Sequence, residues 1–144
     1  MVFEYPYKRY PCDVDDYSPD GHNSFPIVPA DFEYQGNDHR LGVLVDTGAS
    51  HTTLPFSAAQ AFGLDPTTGT QITTKGADGD LIVFGHLGFS VTVAGVQFNV
   101  PVLFSEHLHI PLLGRHAIFD HFNVTFDQER WMVCFEPRGD LIVP

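Results

Sequence analysis

The chain has 144 residues and a formal net charge of −11, which arises from 18 acidic and seven basic side chains. Because 43% of the residues are hydrophobic and only 17% are charged, we expect one globular domain with a sizeable core. The acidic balance argues against nucleic acid and anionic membrane surfaces as partners, since both require clustered positive charge.

The first part of the chain is polar and turn-prone. The segment YPCDVDDYSPDGHNS contains two Pro, one Gly and four Asp, which predicts a flexible acidic N-terminal arm over residues 1–23. The folded domain is then expected over residues 24–136, with a C-terminal tail over residues 137–144. The opening residues lack a signal-peptide pattern, no apolar run has the length of a membrane span, and two cysteines make no disulfide framework. A cytoplasmic location is therefore expected.

The domain itself is predicted to consist of short strands separated by glycine turns. Residues 28–34 alternate with a period of two, QGND makes a turn, and residues 41–45 form the next strand. Farther along we expect a short helix in PFSAAQAFG, a hairpin around GADGD, a two-residue turn at Ala94-Gly95, a short helix in RHAIFDHF and a last strand over 131–135. This pattern predicts a mostly-β, barrel-like domain.

The stretch VLVDTGAS places a carboxylate at the end of an apolar strand. Asp46 directly follows three aliphatic residues, and an ionised carboxylate near a dry core must be paired, hydrogen-bonded or protonated. Gly48 has no side chain, so its amide can approach that carboxylate closely, while Thr47 and Ser50 add hydroxyl groups. The structural alternative is a strand-end turn in which Asp46 caps its own loop amides.

Together with its neighbours, this stretch resembles the active-site segment of the aspartic peptidases, specifically the single-lobe, retroviral-type retropepsins. A glycine-bearing hairpin tip follows Asp46 by about thirty residues, where that family has its flap. The segment PLLGR resembles the family's two apolar residues, Gly and Arg, and FDHFNVTFD resembles the passage that closes such domains, especially in predicted bacterial members. The resemblance covers roughly residues 25–135 and implies a closed β-barrel with a flap hairpin and one or two short helices.

The resemblance further implies an aspartic endopeptidase, a hydrolase without a cofactor. In this family, a water molecule is activated between two carboxylates that share one proton. The sequence has a single D-T-G triplet, so the second carboxylate is expected from an identical chain, in a homodimer that cleaves a peptide or protein substrate. The alternative is a non-catalytic dimeric binding or assembly module that retains the fold.

Individual roles also follow from the resemblance. The catalytic set is Asp46, Thr47 and Gly48. The residues expected to contact substrate are Ala49, Ser50, Gly76, Ala77, Asp78 and Gly79, and those expected to be structural are Leu113, Gly114 and Arg115. Ser50 departs from the family pattern, because many retroviral members have an acid there that pairs with the arginine matched by Arg115, so the partner of Arg115 is left open. Asp78 and Asp80 would make the flap acidic. One interpretation is that the acidic flap favours basic substrates, and the other is that both are ordinary solvated turn residues.

The eight histidines raise the possibility of a metal site. His107 and His109 would point to one face if they lay on a strand, with His116 and His121 nearby in sequence. No cysteine or acid pair at metal-ligand spacing accompanies them. The favoured interpretation is therefore surface histidines and no metal.

Overall fold

The computed structural model describes residues 1–76 and 79–139. The strands are β1 (Phe3–Pro6), β2 (Lys8–Pro11), β3 (His22–Phe25), β4 (Ile27–Tyr34), β5 (Asn37–Val45), β6 (Thr53–Pro55), β7 (Thr70–Gly76), β8 (Gly79–Val93), β9 (Val96–Ser105), β10 (Leu112–Leu113), β11 (Phe122–Asp127) and β12 (Met132–Pro137). One α-helix, α1 (Phe56–Ala59), and three 3₁₀ helices (Gln60–Phe62, Pro66–Thr68 and Phe119–His121) accompany them.

A seven-stranded sheet forms the body of the fold. Its strand order is β4-β5-β10-β6-β9-β8-β7, and β4 also pairs with β8. This additional pairing closes the sheet on itself, while β7 and the first part of β8 form a hairpin. We call that hairpin the flap hairpin. The predicted mostly-β architecture with a flap hairpin is thus confirmed.

Aliphatic and aromatic side chains fill the interior of the sheet. Val28, Ala30 and Phe32 are buried at alternate positions of β4, as the period of two predicts. Phe89 is also buried, and its ring lies 5.3 Å from the ring of Phe62 in an edge-to-face arrangement. Removing these apolar surfaces from water is the main force that holds the strands together.

The N-terminal region differs from the expected flexible arm. β1 pairs antiparallel with β12, with Phe3 opposite Phe135, and β2 pairs antiparallel with β3. Arg9 lies 4.4 Å from the ring centroid of Trp131. The acidic, turn-rich residues after β2 dominate the composition of this region and conceal the short alternating segment FEYP, whose Phe3 and Tyr5 pack against the core.

The predicted turns and helices are reproduced in part. Gln35-Gly36 and Ala94-Gly95 adopt positive φ in tight hairpin turns, and α1 continues as a 3₁₀ turn that ends at Gly63, as expected. The predicted short helix in RHAIFDHF is confirmed only in part, because it is limited to the 3₁₀ helix Phe119–His121. Ala117 has a φ of 66°, and a left-handed residue interrupts a right-handed helix at that point.

The ends of the chain complete this description. No helix in residues 1–76 and 79–139 combines the length and hydropathy needed to cross a bilayer. Residues 140–144 of the predicted tail lie outside the described residues.

Candidate active site

Asp46 lies just beyond the end of β5, where the backbone leaves the sheet. Its amide donates a hydrogen bond to the Leu113 carbonyl at 3.1 Å, which anchors the strand end. Its carboxylate Oδ1 accepts a hydrogen bond from the Gly48 amide at 2.9 Å. A Cβ at position 48 would lie 3.2 Å from the same oxygen, so the glycine allows this close approach. The carboxylate therefore has a fixed orientation and is half-buried within its own chain.

The segment 46–52, which joins β5 to β6, is called the Asp46 loop, and the short strand β10 supports it. It runs parallel to β5, with Leu112 opposite Leu44 and Leu113 opposite Val45, and antiparallel to β6. Leu113 is fully buried. Because β10 lies between the strands that enter and leave the loop, it fixes the separation of the two ends of the loop.

Gly114 packs directly against the backbone on the far side of the loop. Its amide donates to Oγ1 of the buried Thr52 at 3.2 Å. A Cβ on residue 114 would overlap the backbone carbonyl group of His51. Any side chain here would force two backbone segments apart, which gives the glycine of the L-L-G segment a physical reason.

Arg115 and His116 hold the D-T-G-A-S backbone along its length. Nη1 of Arg115 donates to the Thr47 carbonyl at 2.8 Å, and the Arg115 amide donates to the Ala49 carbonyl at 3.0 Å. The His116 amide donates to the Ser50 carbonyl at 2.8 Å. The partner of Arg115 that the sequence left open is therefore a backbone carbonyl within the triplet.

Ser50 makes a local contact with the neighbouring histidine. Its Oγ lies 3.0 Å from Nδ1 of His51, and the His51 ring lies 5.0 Å from the ring of His116. Burial, and then the nearby charge of His116, lower the pKa of His51 from its usual 6.5. Both effects favour the neutral form of His51.

A groove of about 600 Å³ lies between the Asp46 loop and the half of the flap hairpin that is nearer its tip, and we call it the central cleft. Gly48, Ala49 and Ser50 line it together with Asp46. In the flap hairpin, Gly76 pairs with Gly79, while Ala77 and Asp78 lie outside the described residues. The lining contributed by other elements is Thr53 of β6, Thr74 and Lys75 of β7, Leu81 and Val83 of β8, Leu103 and Ser105 of β9, Leu112 of β10, and His51, His107 and Leu108 of loops.

Several of these cleft residues were not predicted from the sequence. Leu81 and Val83 follow a period of two in β8, and this pattern is the signal by which one face of the flap hairpin could have been recognised. His107 is exposed, as expected, and it also lines the central cleft. No local pattern identifies it, because it lies in the loop between β9 and β10.

The histidines considered as metal ligands lie in different surroundings. His116 contacts His51, whereas His121 stacks on Phe98 with ring centroids 5.4 Å apart. Within residues 1–76 and 79–139, no group of three or more His, Cys, Asp or Glu side chains is arranged to hold a metal ion.

Comparisons with solved structures agree with the fold. Among solved structures, a retropepsin-like aspartic protease from Rickettsia conorii superposes with a TM-score of 0.65 and 24% identity, over 94% of this chain and 91% of that one. The EIAV protease in complex with the inhibitor HBY-793 superposes with a TM-score of 0.53 and 21% identity, over 67% of this chain and 86% of that one. At these identities, the two similarities concern the fold. No curated protein matches the chain.

The sequence also matches the family model for aspartyl proteases over residues 28–117. That match runs from β4 through the Asp46 loop and the flap hairpin to the Gly114 contact, which is more than half of the chain. The chain therefore belongs to the aspartyl protease family.

Proposed function

We propose that this protein is an aspartic endopeptidase in which Asp46 acts together with Asp46 of a second, identical chain. The observation that carries the proposal is the position of Asp46, whose carboxylate is oriented by the Gly48 amide at the wall of the central cleft. The sequence contains one D-T-G triplet. A two-fold axis beside the Asp46 loop is the simplest source of the second carboxylate.

The chemistry follows from bringing two carboxylates together. Like charges in close contact cannot both ionise, so the pair holds one proton between them at mildly acidic pH. The ionised member takes a proton from a water molecule as that water attacks the peptide carbonyl carbon. The protonated member donates a hydrogen bond to the carbonyl oxygen and stabilises the negative charge that develops there. The proton taken from the water then passes to the amide nitrogen as the carbon–nitrogen bond breaks, so that a carboxylic acid and an amine leave the site.

The neighbouring residues take supporting roles in this proposal. Thr47 is exposed next to Asp46 and hydrogen-bonds across the dimer axis, and exposed Gly48 contacts the substrate backbone. Ala49 forms part of the cleft wall. An extended peptide lies in the central cleft as an added strand, and the flap hairpin closes over it.

The first test compares wild type with Asp46→Asn on a diverse peptide mixture, at several pH values between about 4 and 8. New termini are identified by mass spectrometry. We expect cleavage by wild type and none by Asp46→Asn, while circular dichroism and the dimer mass stay unchanged. Asp38→Asn is the matched control, because Asp38 is an exposed aspartate of β5, the strand that leads into Asp46, and lies outside the central cleft. Activity of Asp46→Asn equal to that of wild type refutes the mechanism.

A mixing experiment tests the shared site directly. Wild type is incubated with a ninefold excess of Asp46→Asn under conditions that allow subunit exchange, and cleavage is measured per wild-type chain. By mass action, only about a tenth of the wild-type chains then have a wild-type partner, so activity should fall roughly tenfold. Unchanged activity per wild-type chain shows that one Asp46 is sufficient and refutes the two-chain site.

The pH dependence provides a further check. Cleavage should be greatest in mildly acidic to near-neutral solution and weak above it, because the dyad must retain one proton. A rate that still rises at about pH 9 indicates a different nucleophile.

A further inference from the structure

His86 lies where β8 passes from the flap hairpin into the body of the fold. Up to Gly85, the residues of β8 pair with β7, and from Phe89 they pair with β4. Between the His86 and Phe89 pairs, β8 advances by three residues and β9 by two, which is a β-bulge. Gly88, within this interval, has a φ of 93°. The flap hairpin therefore joins the body of the fold at residues 86–88.

The imidazole of His86 is buried at this junction. In the part of the chain that the structure describes, it belongs to the only buried histidine, with a relative exposure of 8%. Its ring packs edge-to-face on the fully buried Phe104, with the ring centroids 5.5 Å apart. It takes no part in the proposed proton transfers. A polar ring is costly to bury unless its nitrogen atoms have partners, so these partners indicate what the ring does.

One partner lies at the start of the flap hairpin, in which β7 is the first leg and the paired part of β8 is the second. Nε2 of His86 is 2.8 Å from the carbonyl oxygen of Pro66, in the 3₁₀ helix that precedes β7. A carbonyl can only accept, so Nε2 carries a hydrogen and donates it. The Gly69 amide donates to the same carbonyl at 3.3 Å, and Thr70 then begins β7. His86, on the second leg, thus holds the segment that leads into the first.

Gly69 brings the first leg into direct contact with the imidazole. A Cβ at residue 69 would overlap the His86 ring and the Gly85 carbonyl oxygen. The φ of Gly69 is −78°, which any residue can adopt, so the glycine is required by space and not by backbone conformation. The ring of His86 therefore packs against one leg and is carried by the other.

We propose that His86 is a positioning residue that fixes the hinge of the flap hairpin through its hydrogen bond to Pro66. This inference rests on the proposed peptidase function, in which the flap hairpin closes over the peptide. The bulge lets β8 bend at the junction, while the hydrogen bond and the packed ring keep the two legs together. A hinge of this kind acts on catalysis through the fraction of molecules that can close on substrate.

A matched pair of variants isolates the hydrogen bond. His86→Met and His86→Gln introduce side chains of similar length and volume, but only glutamine has an N–H group that can donate to the Pro66 carbonyl. Methionine adapts to irregular core space, so this variant is expected to fold. His121→Met is the control, because His121 also packs its ring on a phenylalanine, Phe98, but lies outside the flap hairpin.

Hydrogen exchange followed by mass spectrometry measures the hinge without a substrate. In His86→Met we expect the amides of β7 and of the paired part of β8 to exchange about tenfold faster than in wild type, because the two legs separate more often. His86→Gln and His121→Met should stay within about threefold of the wild-type rate there. Peptides from β11 and β12 are the internal reference and should exchange in His86→Met as in wild type.

Steady-state cleavage of one peptide separates an effect on the flap hairpin from a loss of folded protein. Fewer folded molecules lower the apparent kcat and leave KM unchanged, whereas a flap hairpin that closes less often raises KM. For His86→Met we expect KM to rise by about tenfold, with kcat lowered by less than about threefold. His86→Gln should restore KM to within about threefold of wild type.

The outcomes keep this inference apart from the proposed function. It is overturned if β7 of His86→Met exchanges at the wild-type rate, or if β11 and β12 accelerate to the same degree as β7. It is also overturned if KM of His86→Met is unchanged, or if His86→Gln is as impaired as His86→Met. A complete absence of Asp46-dependent cleavage overturns the peptidase function, while hydrogen exchange still decides whether His86 fixes the hinge.

Discussion

The backbone contact at Gly114 leads to a sharp prediction for Gly114→Ala. The new methyl group would lie 2.6 Å from the Thr52 nitrogen, whereas real Cβ atoms essentially never come within 3.0 Å of such an atom. Because the same methyl group would overlap the His51 carbonyl group more closely still, the segments carrying residues 51–52 and 114 must separate. Neither can move alone, because Leu113 is fully buried and the Gly114 amide donates to Thr52.

The expected cost has a structural part and a catalytic part. Overpacking of a tight contact destabilises by about 1–3 kcal/mol, and about 2–4 °C in Tm corresponds to each kcal/mol for a domain of this size. The displaced segment also carries the Leu113 carbonyl, which accepts a hydrogen bond from the Asp46 amide. A misplacement approaching 1 Å at reacting groups costs roughly a hundredfold in rate, so we expect kcat to fall by about tenfold to a hundredfold.

The assay combines urea denaturation at fixed protein concentration with steady-state cleavage of one peptide. Protein concentration is held constant because dimer formation itself adds stability. Gly139→Ala is the matched control, because a Cβ at residue 139 meets nothing within 4 Å. If Gly114→Ala has the same unfolding midpoint and the same kcat as Gly139→Ala, the proposed backbone contact does not constrain the site.

Two further predictions concern arginines. Arg115→Met removes the hydrogen bond to the Thr47 carbonyl and should lower kcat/KM by roughly tenfold through a looser loop; wild-type kinetics would contradict this. Hydrogen bonds from Arg130, aided by its charge, lower the pKa of Glu4 from 4.5 and the pKa of Asp127 from 3.8. The two ionised carboxylates therefore contribute their full stabilisation of the folded state above about pH 5. This contribution is lost as the pH falls through the lowered pKa values. Arg130→Gln should therefore reduce the urea midpoint at pH 7, with a difference from wild type that shrinks by about pH 3; a difference independent of pH would count against this ion cluster.

Local sequence patterns predicted the parts of the fold that depend on neighbouring residues. The alternation in β4, the Ala94-Gly95 turn and the helix that ends at Gly63 follow from periodicity and positive-φ preferences within a few residues. The helix expected in RHAIFDHF is shortened to a 3₁₀ helix for a related reason. Its apolar spacing suits a helix, but the left-handed Ala117 follows the Arg115 and His116 amides that are held by the Asp46 loop.

Some features of the candidate site could likewise be predicted from local sequence, and others could not. The D-T-G triplet and the glycine of the L-L-G segment were recognised from the sequence, and so was the need for a close approach of the Gly48 amide to Asp46. The hydrogen bond from Arg115 to Thr47 was not predictable, because the two residues are 68 positions apart and the contact is made to a backbone carbonyl. A backbone acceptor has no side-chain identity that a sequence could reveal.

The sequence by itself thus determined where the carboxylate lies along a strand, and which family of folds could orient it. Only the tertiary structure decided that β1 pairs with β12 at the other end of the chain, and that His107 lines the central cleft. The physical reason is that strand pairing and cavity volume depend on residues distant in sequence. A period of two in the sequence specifies which side chains of a strand share a face. The pairing that closes the sheet specifies which residues those side chains contact.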